Sequence, residues 1–362
     1  MTFKGVTISD NHFGHKRTPA SKMAENFKKY LYPIITDIDV LFITGDFWDR
    51  YLSTTSEDYR IGVQVLVELC VLSKQHDFKI LALKGTPGHD YEQMAILRQI
   101  SSSLRADALY VNEVLIQRNG PGGYSYLYIP DEIDDNTEIT KDRVKSLMLK
   151  MGMSKVDFVL MHGSFEHQFP KGIKGNYHDF DFYNSITNYA VFCGHIHEHS
   201  VKGKIIVPGS SDSTTFADKK PKGFIKWVIE NKKLDYRFVP NKGQQIYKTV
   251  ELKSLESDYV LKTVAKAVHG LTIGSWVKVT TKIKGSHISQ FEPTLKEKYP
   301  DLKWVFEEKK TKEVIDFTKD VVMAMEYINI TPNNIVEMVD QTLQGKGITD
   351  TKRHIEVLGG YI

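Results

Sequence analysis

YAVFCGHIHEHS, residues 189–200, is a run of five apolar or aromatic residues, then Gly194, then three histidines at every second position. A short unbroken apolar run reads as a strand buried on both faces. On an extended chain, side chains two apart point to the same side. His195 and His197 therefore reach one point in space, which is one way to hold a metal ion. A surface strand that happens to carry polar residues has the same appearance, so the rest of the chain must decide.

Four other stretches follow the same plan. GVTISDNHFG (5–14), DVLFITGDFWD (39–49), FKILALKGTPGHD (78–90) and VDFVLMHGSF (156–165) each begin with a few apolar residues and end in a glycine-containing turn bearing Asp or His. Between the first three, residues 22–31 and 57–76 read as helices, the second with Ile61, Val65, Leu69 and Leu72 at spacings of three and four. Strand alternating with helix predicts an α/β fold, in which ligands gather outside the carboxyl ends of the strands. Those ends carry Asp10 and His12, Asp46 and Asp49, His89 and Asp90, His162, and His195 and His197. Carboxylates mixed with imidazoles suit Mn, Fe or Zn better than Ca or Mg. They are too many for one tetrahedral site, and one carboxylate can bridge two ions. Two ions about 3.5–4 Å apart clamp a phosphoryl group and supply hydroxide; a histidine beside them suits proton transfer to the leaving oxygen.

The chain has 362 residues, 41% hydrophobic and 26% charged, with a net charge of +3. That is a globular composition, long enough for two or three domains. Any basic surface must be local, because the bulk charge neither demands nor excludes nucleic acid. Cys70 and Cys193 lie in apolar runs and read as buried thiols of a reducing compartment. The opening MTFKGVTISDNHFG is too polar for a signal peptide. No apolar run approaches the ~20 residues that span a bilayer. A cytoplasmic protein is expected. After residue 200, IIVPGSS, GFIKWVIE, LDYRFVP and YKTVELK read as consecutive strands closing a second sheet. Lysine-rich residues 241–312 read as a small separate α/β domain, and 313–362 as a helical segment. There, Val321, Val322, Met325 and Ile328 form one apolar stripe, and Ile335, Met338, Val339 and Leu343 another. Met-containing stripes favour docking to a partner.

D-x-H, G-D-x-x-D, a G-x-H-D-like element, a lone H-G and G-H-x-H occur here in the order of the calcineurin-like metallophosphoesterases, which this chain resembles over roughly residues 5–230. The stretch from YAVFCGHIHEHS through IIVPGSSDSTTFAD to KGFIKWVIE is similar to SbcD-type nuclease subunits of SbcCD DNA repair exonucleases. The resemblance implies a two-sheet sandwich flanked by helices over 1–240, a capping, DNA-binding domain over 241–312 and a helical partner-docking segment over 313–362. It implies two divalent ions, foremost Mn²⁺. Asp10, His12 and His197 would hold the first, Asp46 would bridge, and His162 and His195 would hold the second. His89 would contact the scissile phosphate or protonate the leaving oxygen, Asp90 would orient its ring, and Asp49 would lie near substrate. The implied partners are DNA, an SMC-like ATPase subunit of the SbcC type on the C-terminal helices, and a second copy in a homodimer. No membrane is implied, and the location is the cytoplasm, the host's if the chain is phage-encoded.

One position departs from the family pattern G-N-H-D, whose Asn is a ligand of the second ion. Here the run is Gly85-Thr86-Pro87-Gly88-His89-Asp90. The Asn position is Gly88 if aligned on His89 and Thr86 if aligned on Gly85. Water, the Thr86 hydroxyl or a backbone carbonyl would replace the amide, and weaker binding of the second ion is expected. His199 lies past the motif and reads as solvent-exposed; His15, His167 and His178 read as ordinary polar residues, His15 being near enough to the D-x-H turn to touch substrate. Trp48 reads as packing. Two rival readings are a generic metallophosphoesterase acting on small phosphodiesters and a non-catalytic DNA or ATPase scaffold. The first has no need of 241–362; the second would be expected to have lost more than one ligand.

Overall fold

The computed structural model describes residues 2–131, 136–170, 172–173, 175–283 and 287–308. The helices expected within 313–362, with their two apolar stripes, lie outside the described residues. The strands are β1 Phe3–Ile8, β2 Val40–Thr44, β3 Lys79–Leu83, β4 Ala108–Val111, β5 Leu115–Gln117, β6 Tyr126–Ile129, β7 Val156–His162, β8 Thr187–Gly194, β9 Ser200–Lys202, β10 Ile205–Val207, β11 Gly223–Glu230, β12 Lys233–Pro240, β13 Tyr247–Leu252, β14 Trp276–Thr281 and β15 Lys303–Glu308. The α-helices are α1 Ala20–Asn26, α2 Glu57–His76, α3 Pro87–Asp90, α4 Ile96–Leu104, α5 Thr137–Lys150, α6 Phe180–Ile186, α7 Ser257–Val268 and α8 Glu292–Lys298.

Two six-stranded mixed sheets dominate, ordered β12-β11-β1-β2-β3-β4 and β5-β6-β7-β8-β10-β9. In the first, β1 to β4 are parallel and β11 and β12 add antiparallel to the β1 edge. In the second, β6, β7, β8 and β10 are parallel, with β5 and β9 antiparallel at the edges. The two sheets share an apolar core in which Phe42 and Trp227 of the first meet Phe158 and Phe192 of the second, with Phe42–Phe192 ring centres 5.5 Å apart and Phe158–Trp227 5.2 Å. Leu41 and Ile43 point the other way, onto α1, α2 and α4 through Met23, Leu66, Leu69 and Leu97. On the far side, Val159, Met161, Val191 and Cys193 pack on Val144 and Met148 of α5 and Tyr183 of α6. The central strands are buried on both faces, which is why they read as unbroken apolar runs.

The helix expected over 57–76 spans Glu57–His76. Ser56 caps it by accepting from the Tyr59 N–H, acidic residues fill its first turn, and Asp77 ends it in a left-handed conformation. The helix expected over 22–31 is α1 followed by one π turn, Phe27–Leu31. The four strands after residue 200 do not close one sheet. IIV joins the second sheet as β10, GFIKWVIE and LDYRFVP join the first as β11 and β12, and YKTVEL opens a third as β13. Alternation marks a strand but carries no information on which edge it pairs with.

The third sheet, β13-β14-β15, has its own core of Val250, Val264, Val279 and Leu295. The described residues up to 281, with 287–307, belong to one compact unit. The third sheet up to residue 307 therefore belongs to the same unit as the two large sheets. It meets them at the loop after His12: the Trp276 indole N–H donates to the Arg17 carbonyl at 2.8 Å, and the Thr18 hydroxyl lies 2.9 Å from the Tyr247 hydroxyl. The Arg17 guanidinium sits 5.7 Å from the ring centres of both Phe216 and Trp276.

Buried Asp212 ties this joint together, accepting from Asn26 Nδ2 at 2.7 Å, from the Gln245 N–H at 2.6 Å and from the Ser213 N–H at 2.8 Å. Burial, only partly offset by those donors, pushes its carboxyl up to about 6. Between its ordinary value near 3.8 and about 6 the folded chain holds a proton that the unfolded chain has lost. Stability from this group is therefore complete below that window and falls as pH rises through it. Wild type is expected to lose thermal stability relative to Asp212→Asn between pH 4 and pH 6.5, measured as paired melting midpoints in EDTA; a difference independent of pH would refute this.

Candidate metal centre

The carboxyl ends of β1, β2, β7 and β8 and the turn after β3 meet on one rim. Three overlapping groups form there, each with donor atoms all within 4.8 Å of one another: Asp10, His12 and His197; His12, Asp46 and His89; and Asp46, His162 and His195. His12 Nε2 and His197 Nε2 face each other at 2.9 Å. His197 Nε2 lies 3.9 Å from Asp10 Oδ1, and His162 Nε2 3.3 Å from Asp46 Oδ2. Asp46, the carboxylate expected to bridge, is shared between two of these groups. Its Oδ1 accepts from the Thr86 N–H at 2.7 Å, while Oδ2 faces both His162 and, at 4.0 Å, His12 Nε2.

The backbone is bent to make this convergence. Asp10, His12, Asp46 and His195 all have positive φ, at 48°, 53°, 50° and 94°. Such conformations cost about 1–3 kcal/mol each in residues with a Cβ and gather at functional sites. Cross-loop bonds hold them: Asp10 N–H to the Gly45 carbonyl at 3.2 Å, His12 N–H to the Asp46 carbonyl at 3.0 Å, and His195 N–H to Asp10 Oδ1 at 2.9 Å. Gly45 is required where it stands. Its φ is +91°, and a Cβ there would meet His162 Nδ1 at 2.2 Å. Buried Lys222 pins the last turn by donating to the His197 carbonyl at 2.7 Å.

The imidazoles at the convergence are pushed in opposite directions. Burial, with His197 alongside, holds His12 well below the ordinary imidazole range. Burial alone would raise Asp46, but the surrounding imidazoles of His162, His12 and His89 outweigh it and hold the carboxyl low. Burial pulls His162 down, yet the carboxylates of Asp46, Asp10 and Asp131 outweigh it and raise the imidazole. His162 Nδ1 lies 2.7 Å from the Thr44 carbonyl, so Nδ1 carries the proton and Nε2 faces the site. His12 Nδ1 differs: it is buried without a hydrogen-bond partner, 3.5 Å from Asp49 Oδ1. A donor set of carboxylates and imidazoles fits divalent transition metals, an ion at His162 Nε2 taking the place of its proton.

One expected role changes. Asp90 does not orient His89: its Oδ1 accepts from the Trp48 N–H at 2.9 Å and its Oδ2 from the Gly85 N–H at 2.8 Å. Asp90 is thus a buried brace between the two turns, with its carboxyl pushed up to about 7 by burial and by the charge of Asp46. The Asp49 backbone carbonyl meets His89 Nδ1 instead, and its side chain backs His12 and pairs with Arg50 at 3.1 Å. Asp49 therefore positions His89 through its backbone. The difference arises because α3 turns Asp90 inward beneath the loop while His89 stays half-buried at its lip.

His199 lies outside the three groups, as its place past the motif implied. However, it is half-buried rather than solvent-exposed: its Nδ1 is 2.6 Å from the Val207 carbonyl and its ring stacks on Phe238 with centres 4.9 Å apart. Trp48 packs against Tyr59, with ring centres 5.2 Å apart. The position of the absent amide also resolves. A Cβ at Gly88 would have nothing within 4 Å, whereas the Thr86 hydroxyl lies 3.3 Å from both Asp46 Oδ2 and His162 Nε2. Thr86 is the residue that faces the site. Asp131 is an addition that the motifs do not reveal. It stands just past β6, and its Oδ2 is 3.1 Å from Thr86 Oγ1 and 3.6 Å from His195 Nδ1. The stretch YLYIPD (126–131) carries the same signal as the other strand ends, apolar residues followed by Asp.

No family model matches this chain, and no curated protein matches it. Among solved structures, a protein of unknown function from Aquifex aeolicus is 17% identical over 45% of this chain and 81% of its own, with a TM-score of 0.26. A glutamine-dependent NAD+ synthetase from Acinetobacter baumannii, in complex with ADP, is 12% identical over 91% of this chain and 69% of its own, with a TM-score of 0.33. Likenesses this distant leave fold and function to the chain's own residues.

Proposed function

We propose that this chain is a calcineurin-like metallophosphoesterase of the SbcD nuclease type, hydrolysing DNA phosphodiester bonds with two divalent ions, foremost Mn²⁺. One observation carries the reading: motif residues in the family's order, 185 positions apart in the case of His12 and His197, lie in overlapping donor groups that share Asp46. Two face-to-face sheets with helices outside agree with the sandwich of that family. The third sheet beside the D-x-H loop agrees with a cap over the site.

Asp10, His12 and His197 would hold one ion, His162 and His195 the other, with Asp46 between them. Bound ions of this kind polarise a phosphodiester and lower the pKa of water to supply hydroxide. The chain's own contribution begins with His89. Its Nδ1 is held at the Asp49 carbonyl, so Nε2 is the nitrogen free to meet the scissile phosphate and hand a proton to the departing sugar oxygen. Asp90 fixes the turn that carries His89. The small sheet brings Lys278 near the joint, its ammonium 4.8 Å from the Phe216 ring centre and paired with Glu307 at 2.9 Å. An SMC-like ATPase partner, a homodimer and a cytoplasmic location belong to the same proposal; among the described residues no helix is long and apolar enough to cross a membrane.

The test is digestion of linear single- and double-stranded DNA with Mn²⁺, with Mg²⁺ and with EDTA, beside a small phosphodiester. Cleavage of DNA that needs Mn²⁺ and stops in EDTA is the expected result. Turnover of the small ester alone would replace DNA with a small substrate. No turnover of either, by chain that binds metal, would favour the scaffold.

A further inference from the structure

Asp131 belongs to none of the five motifs, yet its carboxylate reaches the same small space as His162, His195 and Asp46. Its side chain is 12% exposed. The separations there fall in a narrow band: 3.1 Å from Asp131 Oδ2 to Thr86 Oγ1, 3.3 Å from Thr86 Oγ1 to Asp46 Oδ2 and to His162 Nε2, 3.3 Å from His162 Nε2 to Asp46 Oδ2, and 3.6 Å from His195 Nδ1 to Asp131 Oδ2. Two ligands each about 2.1 Å from one ion, at 90–120° to each other, stand about 3.0–3.6 Å apart. A contact of 3.6 Å is too long for a hydrogen bond. The Asp131–His195 pair therefore has the spacing of two neighbours on a shared ion rather than of donor and acceptor.

Asp46, Asp131 and His162 all lie within 3.3 Å of the Thr86 hydroxyl and His195 adjoins Asp131, a mix of carboxylate and imidazole that suits divalent transition metals. The family pattern puts a neutral amide oxygen at the turn after β3, and this chain has the Thr86 hydroxyl there.

We infer that Asp131 is a ligand of the second ion, supplying from the turn after β6 the oxygen that the missing Asn supplies in the family, with the Thr86 hydroxyl beside it. This rests on the dinuclear reading above. It replaces a neutral ligand by an anionic one, so the second ion is held tightly rather than weakly, contrary to the expectation drawn from the lost amide.

The experiment is Mn²⁺ titration of the full chain after EDTA stripping, followed by calorimetry and by electron paramagnetic resonance, which reports coupled pairs of ions without reference to activity. Wild type should take up two ions and give a coupled signal. Asp131→Ala should keep the first ion and bind the second about ten- to a hundredfold more weakly, with the coupled signal lost at low Mn²⁺. Thr86→Asn in the Asp131→Ala background should bring the second ion back. The retained first ion shows that the variant is folded. Asp131→Ala binding two ions with wild-type affinities would overturn the inference and leave the dinuclear reading intact, as would loss of both ions together. Wild type binding only one ion would remove the dinuclear reading, and the inference with it.

Discussion

His195→Ala and His197→Ala should each abolish Mn²⁺-dependent cleavage of DNA, while His199→Ala leaves it essentially at the wild-type rate. The three residues share a spacing but not a setting. His197 belongs to the donor group of Asp10 and His12, and His195 to that of Asp46 and His162. Removing either takes one group below the ligands it needs. A loss of about 10²–10³-fold or more in kcat is expected, as when a preorganised electrostatic group leaves an active site. His199 instead joins the Val207 carbonyl to Phe238. Its removal should cost about 1–2 kcal/mol of stability, one hydrogen bond and one ring contact. Paired measurements of kcat and melting midpoint separate the two kinds of effect. Equal loss of activity in all three variants would mean that the turn after β8 acts as a single structural unit and that the two donor groups are misassigned.

The second large effect is expected at His89. His89→Ala should lower kcat on DNA by about 10²–10⁴-fold, the usual contribution of a positioned acid. Mn²⁺ uptake should remain at two ions, and an ester with a nitrophenolate leaving group should lose far less, because that group departs without a proton. The alternative is concrete, since His89 also falls in a donor group with His12 and Asp46. If His89→Ala loses an ion, and the two kinds of ester suffer alike, His89 is a ligand and not the acid. Its ring centre lies 4.8 Å from that of His12, edge to face, close enough that only metal counting tells the two roles apart.

Much of the site is legible in the order of the residues and their local pattern. Strand ends in an α/β fold meet on one rim, so Asp10, His12, Asp46, His162, His195 and His197 group together on that ground alone. Asp49 and Asp90 show the limit. Both lie near the chemistry, as expected, but neighbours in sequence do not reveal which carboxylate turns inward. The role expected of Asp90, orienting the adjacent ring, falls to a backbone carbonyl of another loop. Asp131 escapes the motifs because its strand carries none, although the run YLYIPD is the same kind of signal as the rest.

The sequence by itself determined the α/β class, the helix Glu57–His76 and the central parallel strands, since burial on one or both faces leaves its period in the order of apolar and polar residues. It also determined which residue types would crowd the rim. Only the tertiary structure decided that the strands after residue 200 divide among three sheets, because pairing is made by edges that meet across the fold. Likewise it decided that Thr86, not Gly88, faces Asp46, and that Asp131 stands opposite. Those are distances between separate turns, 40 and 45 residues from Thr86 along the chain, and no local pattern encodes them.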